Sequence, residues 1–309
     1  MATAGRSIRK QSIAVAIPCH NEAATISKVV KDFRASLRKA RVYVFDNAST
    51  DNSAALARKA GAEVVRVDAL GKGNVLRAIF DRVNEDVLIL VDGDDTYHAT
   101  DASVLLAPIA EGRADMVVGQ RMTADANMRR INQFGNRLIV AYINRLFGAK
   151  FGDVLSGYRA FNRTFIENVP VLTTGFEVET EITLQALAEG LRIIEVPVSY
   201  SSRPEESHSK LRPFADGYRI VLTAAILLRD HRPLRLFGLV AIGFWTLALI
   251  AGILRIYSFF GSHPLPASVL GGVVLLGIPS GLIALGIGFS LNAINTRFQE
   301  IKTFLRRSR

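Results

Sequence analysis

The sequence predicts an α/β protein with a mostly parallel sheet between flanking helices, followed by an amphipathic helix and two transmembrane helices. In the first two thirds of the chain, short apolar runs alternate with segments of helical periodicity, as in a parallel sheet covered by helices. Near the C-terminus, residues 234–260 and 266–294 form two apolar stretches. Each reaches the length of about 20 residues that crosses a bilayer.

The alternation of apolar and amphipathic runs also predicts the individual elements. Strands are expected at residues 13–17, 41–45, 63–67 and 87–91. Gly61 marks the end of one helix, and helices are expected at residues 22–37, 53–60 and 74–83. In a sheet of this kind ligands bind at the carboxyl ends of the strands, so the loops that follow the strands are the expected site.

Composition limits the class of protein and its partners. Of the 309 residues, 49% are hydrophobic and 21% are charged, which excludes intrinsic disorder, collagen and a coiled coil. The net charge of +10 makes nucleic acid, anionic lipid and anionic substrates candidate partners. Much of that charge flanks the apolar stretches, and no zinc spacing or RNA-binding signature is visible, so no nucleic-acid partner is expected.

Cysteine use and the N-terminus predict a cytoplasmic N-terminal domain. The single cysteine, Cys19, excludes a disulfide within the chain and a four-thiolate zinc site. Residues 1–12 lack the apolar core of a signal peptide. We therefore expect the N-terminal domain in a reducing compartment, on the cytoplasmic side of the membrane.

Basic residues outside the two apolar stretches predict their orientation. The segment between the stretches has no Lys or Arg, so both ends of the hairpin are expected on the cytoplasmic side. The basic flanks are Arg229, Arg232, Arg235, Arg297, Lys302, Arg306, Arg307 and Arg309. We expect the cell membrane in a prokaryote or the endoplasmic reticulum in a eukaryote. Glycines in the second stretch would permit an oligomer.

The predicted organisation has three regions. A cytoplasmic domain covers residues 1–211, an amphipathic interfacial helix covers 212–232, and the hairpin with its basic tail covers 233–309. In the middle region apolar residues recur at helical spacing between basic flanks, which favours a helix on the membrane surface. A helix packed on the soluble domain is the alternative. The apolar positions are Phe214, Tyr218, Val221, Leu222, Ala225 and Leu228.

Polar side chains follow three of the predicted strands. The sequences after the first, second and fourth strands are PCHNE, DNASTD and DGDDTY, and parallel strands bring such loops to one edge of the sheet. Asp92 and Asp94 would repel each other there unless a cation lies between them. Mg²⁺ or Mn²⁺ binds carboxylates together with substrate phosphates, and Gly93 would leave room for a ligand.

These motifs carry a resemblance to a known family. With AIPCHNEA, FDNASTDNS, LGKGNVLRA and LVDGDDTYH, the chain resembles family 2 glycosyltransferases of the GT-A fold, a Rossmann-like fold. GDVLSGYRAF, GFEVETEI and EVPVSYSSRPEESHSKLRPFADGYRI are similar to the dolichol-phosphate mannose synthase and polyprenyl-phosphate glycosyltransferase branch. The resemblance covers about residues 13–228.

The resemblance implies a reaction. A sugar would pass with inversion from a GDP- or UDP-linked donor to a polyisoprenyl phosphate, either dolichyl or undecaprenyl phosphate, at the cytoplasmic membrane face. The product would be a lipid-linked monosaccharide for glycan or glycoprotein assembly. Mg²⁺ or Mn²⁺ would be the cofactor. The motifs do not distinguish the sugar or the nucleotide.

The resemblance also assigns roles to residues at matching positions. Asp92 and Asp94 would bind the metal and the diphosphate, and Asp94 would also be catalytic. Arg121 and Arg130 would receive the lipid phosphate. The expected donor-binding residues are Pro18, His20, Asn21, Glu22, Asp46, Asn47, Lys72, Asp92, Gly93, Arg203 and Lys210.

Asp153 has two alternative roles. In family members with hydroxyl acceptors, a carboxylate near this position is a general base. With a phosphate acceptor, Asp153 would orient Arg159 or shape the site. The alternative function is therefore a family 2 enzyme that glycosylates a hydroxyl group of a glycolipid or polysaccharide, with Asp153 as the base.

Some positions depart from the family pattern, and a further feature is ambiguous. His20 stands where a tyrosine is common, and Thr96 stands where an amide would help to bind the metal. Glu177, Glu179 and Glu181 alternate with apolar residues. Either they face the sugar or they are charges on a helix surface.

Overall fold

The structure is a computed structural model that describes residues 11–123, 130–204, 213–260 and 266–307. Its contacts divide the chain into two compact units, Met1–Ala224 and Ala225–Arg309. The first unit contains the sheet, and the second contains the two apolar C-terminal helices.

Strands in the described part of the first unit form one mixed sheet. They are β1 Ile13–Cys19, β2 Arg41–Asp46, β3 Glu63–Arg66, β4 Val87–Leu90, β5 Met116–Thr123, β6 Arg159–Asn162 and β7 Ile193–Tyr200. The strand order is β3-β2-β1-β4-β6-β5-β7. Every neighbouring pair is parallel except those of β6, which runs antiparallel between β4 and β5. The predicted fold class, a mostly parallel sheet with flanking helices, is confirmed.

Helices connect these strands and cover both faces of the sheet. They are α1 Ile26–Ser36, α2 Ser53–Ala60, α3 Lys72–Arg82, α4 Ala102–Ala110, α5 Arg130–Phe147, α6 Arg163–Asn168, α7 Val178–Ala188 and α8 Pro213–His231. α2 has the predicted bounds, whereas α1 begins later than residue 22. The reason is that the loop before α1 is tied to its neighbours: the Glu22 backbone N–H donates to Ser53 Oγ (2.8 Å), and Thr25 Oγ1 donates to the Gly93 carbonyl (2.6 Å).

The central strands are apolar because both of their faces are buried. In β1, Val15 and Ile17 belong to a hydrophobic cluster on one face of the sheet, and Ala14 and Ala16 belong to a second cluster on the other face. This is the period-2 alternation of a strand between two layers of helices. The core therefore fixes the register of the strands and the positions of the loops at their carboxyl ends.

The amino end of β5 is fixed to the start of β7 by an ion pair. Arg192 donates from Nε to Asp115 Oδ2 (3.0 Å) and from Nη2 to Asp115 Oδ1 (2.9 Å). Asn162 Nδ2 also donates to Asp115 Oδ1 (2.9 Å). The hydrogen bonds from Arg192 lower the pKa of Asp115 to about 2, although burial acts in the opposite direction.

We predict that the Asp115 carboxylate stabilises the fold and that this contribution is lost in acid. Its pKa is about 2 in the folded chain and about 3.9 when unfolded, so the contribution is complete above the unfolded pKa and disappears as the pH falls toward 2. In chemical unfolding, wild type should lose stability over this range more steeply than Asp115→Asn. Asp32→Asn, which removes an exposed carboxylate on α1, should keep the wild-type slope. If Asp115→Asn also keeps the wild-type slope of stability against pH, the prediction fails.

The second unit contains two long apolar helices, α9 Pro233–Phe260 and α10 Ala267–Arg307. Both are long and apolar enough to cross a membrane, over Pro233–Phe260 and Ala267–Phe298. Glycines on α10 allow the helices to pack closely, since a Cβ at Gly281 would lie 2.2 Å from Trp245 Nε1. Trp245 Nε1 in turn donates to the Ile278 carbonyl (3.3 Å). The helices lie where the sequence predicts spans; their insertion in a membrane stays a prediction.

Helix α8 occupies the region for which an amphipathic helix is predicted. It exposes four large apolar side chains, those of Tyr218, Val221, Leu222 and Ile226, with Tyr218 68% exposed. Spacings of three and four residues place them on one side of the helix. Leu228, which the sequence pattern assigns to the same face, is buried. Contact between this exposed face and a membrane surface stays a prediction.

Candidate active site

The carboxyl edge of the sheet has three strained loops, one after each of β1, β2 and β4. Asn21, Ala48 and Asp95 have positive φ angles of 51°, 52° and 60°. Among the described residues these are the non-glycine residues with such a backbone. Left-handed backbone is costly for residues with a side chain and is concentrated at functional sites. The sequence predicts a site at this edge, and the backbone strain lies there.

Two of these loops are joined by hydrogen bonds into one surface. His20 Nδ1 lies 2.6 Å from the Asn47 carbonyl oxygen, and the Thr50 backbone N–H donates to Asn21 Oδ1 (2.8 Å). Asp46 is buried at the end of β2, where the Ser49 N–H donates to its Oδ1 (3.3 Å). The structure therefore brings the predicted nucleotide-binding residues of the first and second motifs together. Pro18 and Glu22 lie in the same segment.

Asn47 builds the loop that leads to α3. Its Nδ2 donates to the carbonyls of Val67 (3.0 Å) and Ala69 (2.8 Å), and its Oδ1 accepts the Gly71 N–H (2.8 Å). The amide is therefore committed to backbone groups in this structure. A donor contact of Asn47, as implied by the resemblance, stays a prediction.

A largely buried lysine, 14% exposed, neutralises the first carboxylate of the DGD motif. Lys72 Nζ donates to Asp92 Oδ1 (2.7 Å) and lies 2.5 Å from Glu179 Oε1. Burial lowers the pKa of Lys72, but the negative charges of Asp92 and Glu179 outweigh it, and the net shift is upward. For Asp92, burial raises the pKa, but the charge and hydrogen bond of Lys72 outweigh it, and the net shift is downward. Lys72 and Asp92 therefore remain charged together.

Close backbone packing places Lys72 at this point. A Cβ at Gly71 would lie 2.2 Å from the Thr174 carbonyl oxygen, and one at Gly73 would lie 2.1 Å from that of Thr173. The Gly73 N–H donates to the Thr174 carbonyl (2.9 Å). Glycine at both positions thus allows the first turn of α3 to lie directly on the segment before α7.

The glutamates of the GFEVETEI motif do not lie on a helix surface, which corrects one of the two expectations for them. Glu177, Glu179 and Glu181 are all buried, with Glu181 1% exposed. Glu179 binds Lys72, and Glu181 accepts the backbone N–H groups of Leu172 and Thr173 (both 2.9 Å). Glu181 therefore fixes the segment on which α3 begins, and Glu179 fixes the lysine at its start.

The second carboxylate of the motif has different partners. Thr96 Oγ1 donates to Asp94 Oδ1 (2.6 Å), and Arg203 forms an ion pair with Asp94 Oδ2. Burial, and then the repulsion of Asp92, raise the pKa of Asp94 in spite of Arg203. Thr96 thus orients Asp94, while Asp95 turns away and pairs with Lys28 on α1 (2.6 Å).

The carboxylate ligands available here suit a hard divalent cation that also binds a substrate. Among the residues that the structure describes, no group of three or more His, Cys, Asp and Glu side chains could hold a metal ion. Asp92 and Asp94 would therefore bind one through carboxylate oxygens while phosphates and water complete the coordination, as is common for Mg²⁺. The mutual repulsion that raises the pKa of Asp94 is the interaction that such a cation would relieve.

Glycines have unequal roles around the DGD motif. A Cβ at Gly157 would lie 2.3 Å from Asp92 Oδ2, so a side chain there would displace the carboxylate. A Cβ at Gly93 would meet its nearest neighbours at 3.4 Å, an ordinary contact. Crowding within the chain therefore requires glycine at 157, and the donor-binding role of Gly93 stays a prediction.

A second ion pair lies at the carboxyl end of β5. Arg121 donates from Nε to Asp153 Oδ2 (2.6 Å) and from Nη2 to Asp153 Oδ1 (2.8 Å). The guanidinium carbon lies 5.4 Å from the centre of the Tyr200 ring. Arg159 has other partners: it donates to the carbonyls of Ser156 (2.8 Å) and Val154 (2.7 Å). The direct ion-pair partner of Asp153 is thus Arg121.

The structure therefore groups the predicted residues into a nucleotide surface, a DGD centre and the Arg121–Asp153 pair. Lys210 lies outside the described residues, and so does the side chain of Arg130, the first residue of α5. Sequence reasoning did not single out Glu195, which accepts the backbone N–H of Asp153 (2.8 Å). The EVPVSY motif contains Glu195, but nothing in its spacing indicates a partner 42 positions away.

The site and the sheet together define a class of protein. Carboxylates paired with cations at the carboxyl edge of a parallel sheet suit a phosphorylated ligand. The model of the glycosyl transferase family 2 matches residues 14–169. The chain belongs to this family and is a glycosyltransferase, as its motifs predict.

Several relatives are similar over most of the chain. Glycosyltransferase AglJ of Haloferax volcanii is 37% identical over 78% of this chain and 80% of its own length. The dolichyl-phosphate hexose transferase of the same organism is 32% identical over 67% of this chain and 90% of its own. The polyprenol monophosphomannose synthase of Mycolicibacterium smegmatis is 28% identical over 62% and 78%. The resemblance to the polyprenyl-phosphate branch of the family is confirmed.

Solved structures of low sequence identity share the fold. Glucosyl-3-phosphoglycerate synthase from Mycobacterium tuberculosis, in complex with Mn²⁺, UDP-glucose and phosphoglyceric acid, has a TM-score of 0.59 and 22% identity. The match covers 71% of this chain and 80% of that chain. The same enzyme with Mg²⁺ and UDP has a TM-score of 0.60. These similarities confirm the predicted GT-A fold.

We predict that Gly73→Ala weakens binding of a nucleoside diphosphate at least tenfold. The added Cβ would lie 2.1 Å from a backbone carbonyl, so the start of α3 must move and carry Lys72 away from Asp92. Gly217→Ala is the matched control, because a Cβ there meets nothing within 4 Å. Titration calorimetry with UDP and GDP in the presence of Mn²⁺ would measure both variants. Unchanged affinity in Gly73→Ala would contradict the role given to this packing.

Proposed function

We propose that this glycosyltransferase transfers a sugar, with inversion, from a nucleoside diphosphate sugar to a polyisoprenyl phosphate at a membrane surface. The observation that carries the proposal is the pairing of two neighbouring carboxylates, a buried one at Asp94 and a partly exposed one at Asp92, with two cations at one sheet edge. Lys72 pairs with Asp92, and Arg203 pairs with Asp94. Such an edge can exchange its internal ion pairs for a metal and a diphosphate without leaving a buried charge uncompensated.

The donor would lie along the loops at this edge. The base and ribose would contact the surface made by His20, Asn21 and Asp46, which the hydrogen bonds between the first two loops hold in place. The diphosphate would lie near the DGD centre, where Arg203 and Lys210 would bind it. Arginine suits this task because its planar donors match phosphate oxygens. Either UDP or GDP would be compatible with these contacts.

Asp92 and Asp94 would hold Mg²⁺ or Mn²⁺. A bound metal neutralises the negative charge that develops on the leaving diphosphate. The chain's own residues prepare for it: Thr96 orients Asp94, and Lys72 keeps Asp92 ionised. Complexes of the structurally similar glucosyl-3-phosphoglycerate synthase contain Mn²⁺ or Mg²⁺ together with UDP, which supports a divalent cation here.

The proposed acceptor is a polyisoprenyl phosphate, because relatives of this chain are named for dolichyl phosphate and polyprenol substrates. Its phosphate oxygen is ionised at neutral pH and can attack the anomeric carbon as the bond to the diphosphate breaks. One displacement inverts that carbon. No strong base is needed, so positioning and electrostatics would provide most of the rate enhancement. Arg121, together with Arg130, would receive the acceptor phosphate.

A membrane location fits such an acceptor. The lipid tail stays in the bilayer, so the enzyme must lie at its surface. Helices α9 and α10 would span the membrane, and the exposed apolar side of α8, with Tyr218, Val221, Leu222 and Ile226, would rest on it. Basic flanks would favour anionic lipid and the cytoplasmic face.

A donor and acceptor screen tests the proposal. Detergent-purified protein with Mn²⁺ would receive a polyprenyl phosphate and a panel of UDP- and GDP-sugars, and the glycolipid would be detected by mass. We expect a metal-dependent product from one donor and at least a hundredfold loss in Asp94→Ala, by analogy with the loss of electrostatic transition-state groups. Asp95→Asn is the matched control: it removes the neighbouring carboxylate, and asparagine tolerates the positive φ of that position.

Asp95→Asn should retain activity within about threefold. Loss of the Asp95 carboxylate breaks a partly exposed ion pair with Lys28 and leaves the contacts of the DGD centre in place. Transfer from every active donor to a hydroxyl acceptor, with none to polyprenyl phosphate, would overturn the proposal in favour of a glycolipid or polysaccharide enzyme.

A further inference from the structure

We propose that Asp153 is a positioning residue that holds Arg121 against the acceptor phosphate, and that it is not the general base of the reaction. The inference rests on the proposed function, in which Arg121 binds that phosphate. From its position in the sequence, the Asp153 carboxylate could be either a positioning group or a general base. The structure distinguishes the two roles through the partners of the carboxylate.

Both oxygens of Asp153 are already occupied by hydrogen bonds. Oδ2 accepts from Arg121 Nε (2.6 Å), and Oδ1 accepts from Arg121 Nη2 (2.8 Å) and from the Leu155 N–H (3.2 Å). A two-bond arginine–carboxylate pair fixes the plane of the guanidinium. A base must instead present a lone pair to the acceptor, which would require this ion pair to break inside a buried site.

The two side chains of the ion pair differ in exposure to solvent. The Arg121 side chain is 19% exposed, and that of Asp153 is 6% exposed. The ion pair uses Nε and Nη2, so Nη1 lies outside it. The guanidinium is therefore the more exposed member of the pair, and an acceptor phosphate would contact it in preference to the carboxylate. This arrangement suits an anion such as a phosphate.

A second carboxylate holds Asp153 itself. Glu195 on β7 accepts the N–H of Gly152 (2.7 Å) and the N–H of Asp153 (2.8 Å). Gly152 is also packed so closely that a Cβ there would lie 2.2 Å from Gln120 Nε2. The turn that carries Asp153 is therefore fixed by the strand pair β5–β7. The constraint passes from Glu195 to the turn, from the turn to Asp153, and from Asp153 to Arg121.

An aromatic ring supports the guanidinium from a different direction. The Tyr200 ring centre lies 5.4 Å from the guanidinium carbon of Arg121, within the range of a cation–π contact. Tyr200 packs in turn on Tyr97, with ring centres 5.1 Å apart, and the Tyr97 hydroxyl accepts the N–H of Gly157 (3.1 Å). Arg121 is thus preorganised by a carboxylate on a turn that Glu195 holds and by a ring at the end of β7.

The same strand pair provides a matched control. At the opposite end of β5 and β7, Asp115 and Arg192 form a two-bond ion pair of the same geometry (3.0 and 2.9 Å). That pair lies at the amino end, away from the carboxyl-edge loops. Asp115→Asn thus removes an equivalent buried carboxylate and reports the general cost to the fold.

Steady-state kinetics with polyprenyl phosphate would test the inference in the full-length protein. We expect Asp153→Asn to raise the KM for polyprenyl phosphate at least tenfold and to lower kcat by less than tenfold. The KM for the donor should stay within twofold. Asp115→Asn should leave both KM values within twofold. Arg121→Gln should raise the acceptor KM at least as much, and adding Asp153→Asn to it should cause less than a threefold further change, because Asp153 acts through Arg121.

A general base predicts a different pattern. Asp153→Asn would then lower kcat by about a hundredfold to ten-thousandfold with little change in KM, and would do so again in the Arg121→Gln background. That result would overturn the inference. If Asp153→Asn alone does not fold, the comparison of Arg121→Gln with the double variant still decides, because the double variant leaves no unpaired buried charge.

Failure of the proposed function has its own signature. Wild type would then glycosylate an alkyl glycoside, which is a hydroxyl acceptor, and not polyprenyl phosphate. The same variants would be measured on that acceptor, where a large kcat loss in Asp153→Asn would overturn the positioning role. An increase in the acceptor KM with little change in kcat would support the positioning role.

Discussion

The charge of two neighbouring carboxylates at the end of a buried strand must be balanced, and the architecture of this site depends on how that requirement is met. Lys72 meets it for Asp92 at 2.7 Å. Lys72 is itself only 14% exposed, and a second carboxylate, that of Glu179, also balances its charge. The helix that carries the lysine can begin there only because Gly71 and Gly73 allow backbone contact with the segment before α7. The balance of charge among Asp92, Lys72 and Glu179 thus links the loop after β4 to helices α3 and α7 and to the segments that precede them.

The two ends of the β5–β7 strand pair show how location decides what an ion pair does. Asp115–Arg192 and Asp153–Arg121 have nearly the same two-bond geometry. The first lies at the amino end and joins β5 to the start of β7, so its effect is on stability. The second lies at the carboxyl end, where parallel strands bring their loops to a ligand. In the proposed function, the same interaction there orients a guanidinium toward the acceptor phosphate.

Much of the fold was predictable from the sequence, because buried central strands and amphipathic helices have distinct periodicities. The loops of the DGD and DNASTD motifs were also predictable, since parallel strands end at one edge. The last three strands, β5 to β7, were not predicted, and the antiparallel place of β6 between β4 and β5 depends on tertiary pairing that local periodicity does not encode. The partner of Glu179 was not predictable either, because α7 is buried on all sides and its sequence does not indicate which way a glutamate points. The same holds for the partner of Asp153, which lies on strand β5. Long-range pairing is a property of the tertiary fold.

In the proposed function, the internal ion pairs of the DGD centre are exchanged for a metal and a diphosphate when the donor binds. An experimentally determined structure with Mn²⁺ and a nucleoside diphosphate would show this exchange. We expect Mn²⁺ on the carboxylates of Asp92 and Asp94, with Arg203 transferred from Asp94 to the diphosphate. Nucleotide bound elsewhere, or bound with Arg203 still paired to Asp94 and no metal on either carboxylate, would rule the exchange out.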